Sequence, residues 1–88
     1  MQELVKTDAG GVSVTVGPIG ALWAVNIEHQ EEPFAIGRTP RIARVRAMVI
    51  LRRKLRDIEH AVRAGRARAL YRRWRLLLEA LERLEAES

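Results

Sequence analysis

FAIGRTPRIARVRA, residues 34–47, contains the point at which the chain changes period. Before it, Val12, Val14 and Val16, then Trp23, Val25 and Ile27, stand two apart, the spacing that places side chains on one face of a strand. After it, Ile42, Val45 and Val49, then Leu51, Leu55, Ile58 and Val62, recur at three and four, the spacing of a helix face. Thr39-Pro40 marks the switch: a threonine at the N-cap satisfies orphan amides, and a proline at the first helical position forfeits no hydrogen bond. The chain therefore reads as one α+β domain, with a strand-forming part over residues 1–37 and a helical part over 38–88.

Working back from the switch, Phe34 to Ile36 reads as a short edge strand and HQEEP, residues 29–33, as a polar loop. Ala21 to Glu28 and Val12 to Val16 read as strands, joined by a tight connection at Gly17-Pro18-Ile19-Gly20. Leu4 to Lys6 reads as a first short strand and Thr7 to Gly11 as a turn. The expected product is a small antiparallel meander of three to four strands with one buried face.

Working forward, one helix is expected from Pro40 to Ala64. Its Met48-Val49-Ile50-Leu51 turn is apolar on all sides, which predicts burial between two surfaces. Gly65 stands where a C-cap glycine ends a helix. A second helix, from Arg66 to Glu85, carries a seam of Leu70, Trp74, Leu77, Leu81 and Leu84. That seam is rotated by roughly 80° from the first, so one straight helix would not keep a single stripe. Two helices in an antiparallel hairpin are the preferred reading, and a single long kinked helix is the alternative.

Composition narrows the function classes. With 88 residues, 48% apolar and 31% charged, the chain suits one small folded domain. It has no cysteine, so it forms neither disulfides nor thiolate metal sites, and a cytoplasmic setting is the default expectation. Residues 9–27 carry no charge, but four glycines, a proline, Ser13, Thr15 and Asn26 interrupt them, which argues against a membrane span or signal peptide. There is no Gly-rich phosphate loop, nucleophile elbow or paired-carboxylate constellation. His29 in EHQEE reads as part of a solvated acidic loop and His60 as part of a basic face. No catalytic activity, cofactor or metal is expected.

Charge is arranged in blocks. From Arg38 to Arg75 there are fourteen basic residues against Asp57 and Glu59, a balance of +12, while the rest of the chain carries −7. Arginine favours bidentate phosphate or carboxylate contacts. Arg52, Arg53, Arg56, His60 and Arg63 fall within an arc of roughly 100° opposite Leu55, Ile58 and Val62. Arg68, Arg72 and Arg75 lie on the outer side of the second helix, where Glu79 and Glu82 follow. Glu79 stands at pairing distance from Arg75 and Arg83.

LYRRWR, residues 70–75, admits two readings, a base-stacking site and the middle of an amphipathic helix. Membership of the leucine seam favours a core position for Trp74, with Tyr71 at its margin. Leu76 projects away from that seam and, with the apolar turn at Met48 to Leu51, suggests that the helices meet another subunit or a partner.

WAVNIEH followed by FAIGRTPRIARVRA resembles the strand, G-x-T and small-residue helix of HicB-type antitoxins, with Gly37, Thr39, Ala43 and Ala47 at matching places. The resemblance covers about a quarter of the chain. Ile42 stands where that pattern has an acid, and no DNA-binding ribbon or helix-turn-helix follows. A glycine and a cap between strand and helix also arise from geometry alone.

The expected function is that of a non-catalytic basic binding module. It would hold nucleic-acid backbone through Arg52, Arg53, Arg56 and Arg63, helped by Arg68, Arg72 and Arg75. The alternative is a protein-interaction module, such as a phage-type or mobile-element inhibitor, docking the same face on an acidic or nucleic-acid-binding protein surface.

Overall fold

The computed structural model describes residues 5–9 and 12–87, with side chains over 13–86. Four strands, β1 (Val5–Ala9), β2 (Val12–Ile19), β3 (Leu22–Ile27) and β4 (Ala35–Gly37), form an antiparallel sheet in sequential order. Three helices follow: α1 (Pro40–Asp57), α2 (Glu59–Arg63) and α3 (Arg68–Glu87). The fold is α+β, as the change of period requires.

Register explains the core. Val14 opposes Ile27, Val16 opposes Val25, and Val25 opposes Ala35, so these side chains share one face of the sheet. All of them are buried against Ala43, Ala47, Met48, Leu51 and Leu55 of α1 and Leu77, Leu78, Ala80 and Leu81 of α3. α1 lies across β2, β3 and β4, and α3 packs on α1 and β1. The opposite sheet face exposes Ile19, Leu22 and Ile36.

The strand boundaries differ from the expectation. β1 includes Thr7, Asp8 and Ala9, which pair with Val14, Ser13 and Val12, so strand replaces most of the expected turn. Leu4, Gly10 and Gly11 lie outside the described residues. β2 continues through Gly17, Pro18 and Ile19, and the turn shifts to Gly20-Ala21. Gly20 has φ +59, the requirement at the first central position of a two-residue hairpin of type II′. Among the described residues the β1 pairing ends at Val16, and Pro18 is paired with Trp23 of β3.

The switch itself forms as read. Thr39 is extended, its Oγ1 accepts from the Ile42 amide at 3.1 Å, and Pro40 opens α1. Gly37 serves close approach rather than an unusual dihedral. A Cβ there would lie 2.5 Å from the Ala43 nitrogen and 2.9 Å from the Ile42 carbonyl carbon. Ala43 and Ala47, both fully buried, keep the helix equally near the sheet.

The helical part contains three helices where two were expected. α1 stops at Asp57, and Ile58, at φ −97 and ψ 0, separates it from α2. No glycine or proline stands at the break. It falls just past Leu55, the last α1 residue packed in the core, beyond which no buried side chain holds the next turn to the axis. Gly65, at φ +81, ends α2: its amide donates to the Val62 carbonyl, and the Arg66 amide donates to Ala61 at 2.7 Å. This pair of bonds is the Schellman arrangement. The reversal excludes one long helix, and α1 and α3 run antiparallel, with Arg44 against Glu85 at one end and Lys54 against Trp74 toward the other.

The Met48 to Leu51 turn is not buried on all sides. Met48 and Leu51 are buried and Ile50 is half-buried, but Val49 faces solvent. With Ile42 and Val45, also exposed, it makes an apolar stripe on the outer face of α1. No helix among the described residues is long and apolar enough to cross a membrane.

Candidate nucleic-acid interface

The core ends before the helices do. From Arg56 to Leu76 no residue is fully buried, whereas Leu55 and Leu77 on either side are. The chain there carries seven arginines against Asp57 and Glu59. This end of the helical layer therefore combines high positive charge with little apolar packing.

All seven arginines expected at the interface, Arg52, Arg53, Arg56, Arg63, Arg68, Arg72 and Arg75, are exposed. The antiparallel packing brings some of them together. Arg52 and Arg56 of α1 and Arg75 of α3 line one groove between the helices, which Tyr71, Glu59 and Glu82 also line. Arg68 and Arg72 line a second groove with Arg73 and Leu76. Arg53 lies outside both grooves. Arg63 is held by Glu59 at 2.9 Å and Arg75 by Glu79 at 3.3 Å, exposed pairs that a phosphate can displace at small cost.

Arg44, inside the same basic block, does something different. It is 3% exposed, its Nε donates to Glu85 Oε1 at 3.1 Å, and its Nη2 lies 3.1 Å from the same oxygen. Arg41 Nε reaches the other carboxylate oxygen at 3.3 Å. These two cations fasten the start of α1 to the last turns of α3. The sequence reading missed this pair, because recognising it requires the relative register of two helices.

Trp74 is half-buried rather than in the core. It packs on the core edge and lines an open groove with Phe34, Ile50 and Leu70. Lys54 Nζ lies 5.2 Å from its ring centroid, within cation–π range. Of the expected seam, Leu77 and Leu81 are buried and Leu84 is half-buried, but Leu70 is exposed, because α3 at the level of Leu70 and Trp74 has passed beyond the packed layer. Tyr71 is half-buried, as expected of a margin position, and Leu76 is half-buried against the core rather than free. Lys54, Phe34 and Arg73 join this groove without having been singled out as site residues. The adjacency of Arg73 to Trp74 in LYRRWR was the available signal.

The partial burial has a measurable consequence. Trp→Ala costs about 3–5 kcal/mol at a fully buried site, so Trp74→Ala is expected to cost about 1–2 kcal/mol. The urea midpoint of the variant measures it, and a loss above that range would return the ring to the core.

His29 is exposed and lies 3.8 Å from Glu28. Among the described residues no three histidine or acidic side chains gather as a metal site. No protein-family profile, curated protein or solved structure matches the chain.

Proposed function

We propose that the protein is a non-catalytic module that binds nucleic-acid backbone through the arginine-rich end of its helical layer. The observation that carries this reading is the convergence of Arg52, Arg56 and Arg75, from two helices, on one groove, where they outnumber the Glu59 and Glu82 carboxylates that also line it. Guanidinium groups there can each take a phosphate, and binding is driven by release of the counterions those phosphates held. Arg53, Arg63, Arg68 and Arg72 extend the contact. Backbone contacts of this kind set affinity and register and carry no base sequence. A cytoplasmic setting fits such a role.

The test is the triple substitution of Arg52, Arg53 and Arg56 by glutamate. All three are exposed, so circular dichroism should stay unchanged while nucleic-acid retention is lost. If each arginine holds one duplex phosphate, replacing the three by glutamine instead is expected to flatten the log–log salt slope by about 2.7. Equal polyanion binding by parent and variant would overturn this face.

A second reading is favoured by a separate observation. Ile42, Val45 and Val49 form an exposed apolar stripe on α1, flanked by Arg41, Arg46 and Arg53. An acidic amphipathic protein surface suits that pattern, whether on another subunit or on a protein that this chain inhibits. A parent that binds no nucleic acid at low salt, but is isolated with an acidic protein, would select it.

A further inference from the structure

We propose that the Trp74 groove is a stacking site for one unpaired base, which makes the ligand single-stranded rather than duplex nucleic acid. This rests on the nucleic-acid reading above and specifies its substrate. The floor of the groove is apolar and aromatic: Trp74 and Phe34, with Ile50 and Leu70 between the helices. Its volume of about 450 Å³ lies in the range of small-molecule sites, about 300–1,000 Å³. Aromatic rings in a basic groove are the means by which single strands are held without sequence readout, because every base has a π-face. A duplex keeps those faces stacked inside itself and offers none to the ring.

The charges at the rim orient the strand. Lys54 and Arg73 also line the groove and supply phosphate contacts. Arg73 belongs at the same time to the neighbouring groove of Arg68 and Arg72, so a strand leaving Trp74 meets two more guanidinium groups at once. Glu32 and Gln30 stand on the loop between β3 and β4 and also line the groove. A carboxylate repels phosphate, so the backbone runs along Lys54 and Arg73 and the base edge turns toward Glu32. There a carboxylate accepts from an exocyclic amino group, as on cytosine, and finds no donor of that kind on thymine.

Lys54 couples the stack to the backbone contact. In the free protein its ammonium lies over the Trp74 ring. An incoming base takes that place on the ring, and the displaced ammonium is left beside the phosphate that follows the base. The site thus exchanges one cation–π contact for a stack and a charge-assisted hydrogen bond.

The experiment uses the full chain carrying Trp23→Phe, so that fluorescence reports Trp74 alone. It is titrated with twelve-residue oligodeoxycytidylate, oligothymidylate and a twelve-base-pair duplex. The single strands are expected to quench Trp74 and bind more tightly than the duplex, with cytidylate ahead of thymidylate, and Glu32→Gln is expected to reduce that lead. Trp74→Leu, which keeps apolar bulk and lacks a π-face, is expected to lose about five- to a hundredfold in single-strand affinity, measured by anisotropy of a labelled strand. Trp74→Phe should recover most of it, which separates stacking from folding.

Binding of duplex and single strand alike, without quenching, would overturn the stacking site and leave the backbone reading standing. Binding of neither would overturn both. Quenching by an acidic apolar peptide, with none by any oligonucleotide, would assign the groove to a protein ligand and also overturn the proposal.

Discussion

Replacing Glu85 by alanine is expected to lower the melting temperature by about 12–24 °C, corresponding to about 3 kcal/mol in a domain of this size. The reason lies in its partner. The Arg44 side chain is only 4% exposed, and a guanidinium cannot shed its charge, so removing the carboxylate withdraws a charged partner from a buried cation. Arg41, 77% exposed, loses little when the same carboxylate goes. Replacing both members, with Arg44→Met and Glu85→Leu, should restore most of the lost stability, because an apolar pair of similar volume needs no compensating charge. A single substitution costing less than about 1 kcal/mol would mean that the Arg44 charge is satisfied without Glu85.

Gly37→Ala is the second large effect, with an expected loss of about 3 kcal/mol, at the upper end of overpacking costs. The added carbon would meet the Ala43 nitrogen at 2.5 Å, and a backbone atom in the first turn of α1 cannot step aside as a side chain can. Relief requires moving β4 from α1, and with it the packing of Ala43 and Ala47. Gly20→Ala makes an instructive control, since nothing lies within 4 Å of its Cβ position and the penalty there comes from a φ of +59 alone. Thermal unfolding of the two variants measures both terms. A smaller loss at Gly37 than at Gly20 would refute the close-approach argument.

What could be read from sequence was governed by range. Thr39, Pro40 and Gly65 act on neighbours within a few residues, so their roles follow from the chain itself, whereas the close approach at Gly37 appears only once α1 is docked on β4. The alternation of Val14, Val16, Val25 and Ile27 likewise locates the buried sheet face, because strand period is local. The ends of β1 and β2 were misplaced because Asp8, Gly17 and Pro18 are turn formers by composition, and only a paired neighbour turns them into strand. The break at Ile58 has no local mark at all.

The candidate site divides along the same line. Solvent exposure of Arg52, Arg53 and Arg56 followed from their position opposite Leu55, a local relation. The meeting of Arg52 and Arg56 with Arg75, the approach of Phe34 to Trp74, and the burial of Arg44 all depend on how helices and loop are docked. Trp74 shows the limit of periodicity most directly. A seam says which residues share a direction, but it does not say how far along the helix there is something to pack against.

The absence of any fully buried residue between Arg56 and Leu76 has a thermodynamic consequence for recognition. A segment with so little apolar area cannot share the full cooperativity of the sheet and its two covering helices, and it opens at a lower free energy than they do. Repulsion among its own seven arginines lowers that free energy further. A polyanion removes the repulsion and favours the closed form, so local folding and association become one linked equilibrium. On the proposed backbone-binding function, the apparent affinity is the intrinsic affinity scaled by the fraction of molecules in which this end is closed, and a substitution that stiffens the Gly65 reversal is expected to tighten binding without touching the ligand.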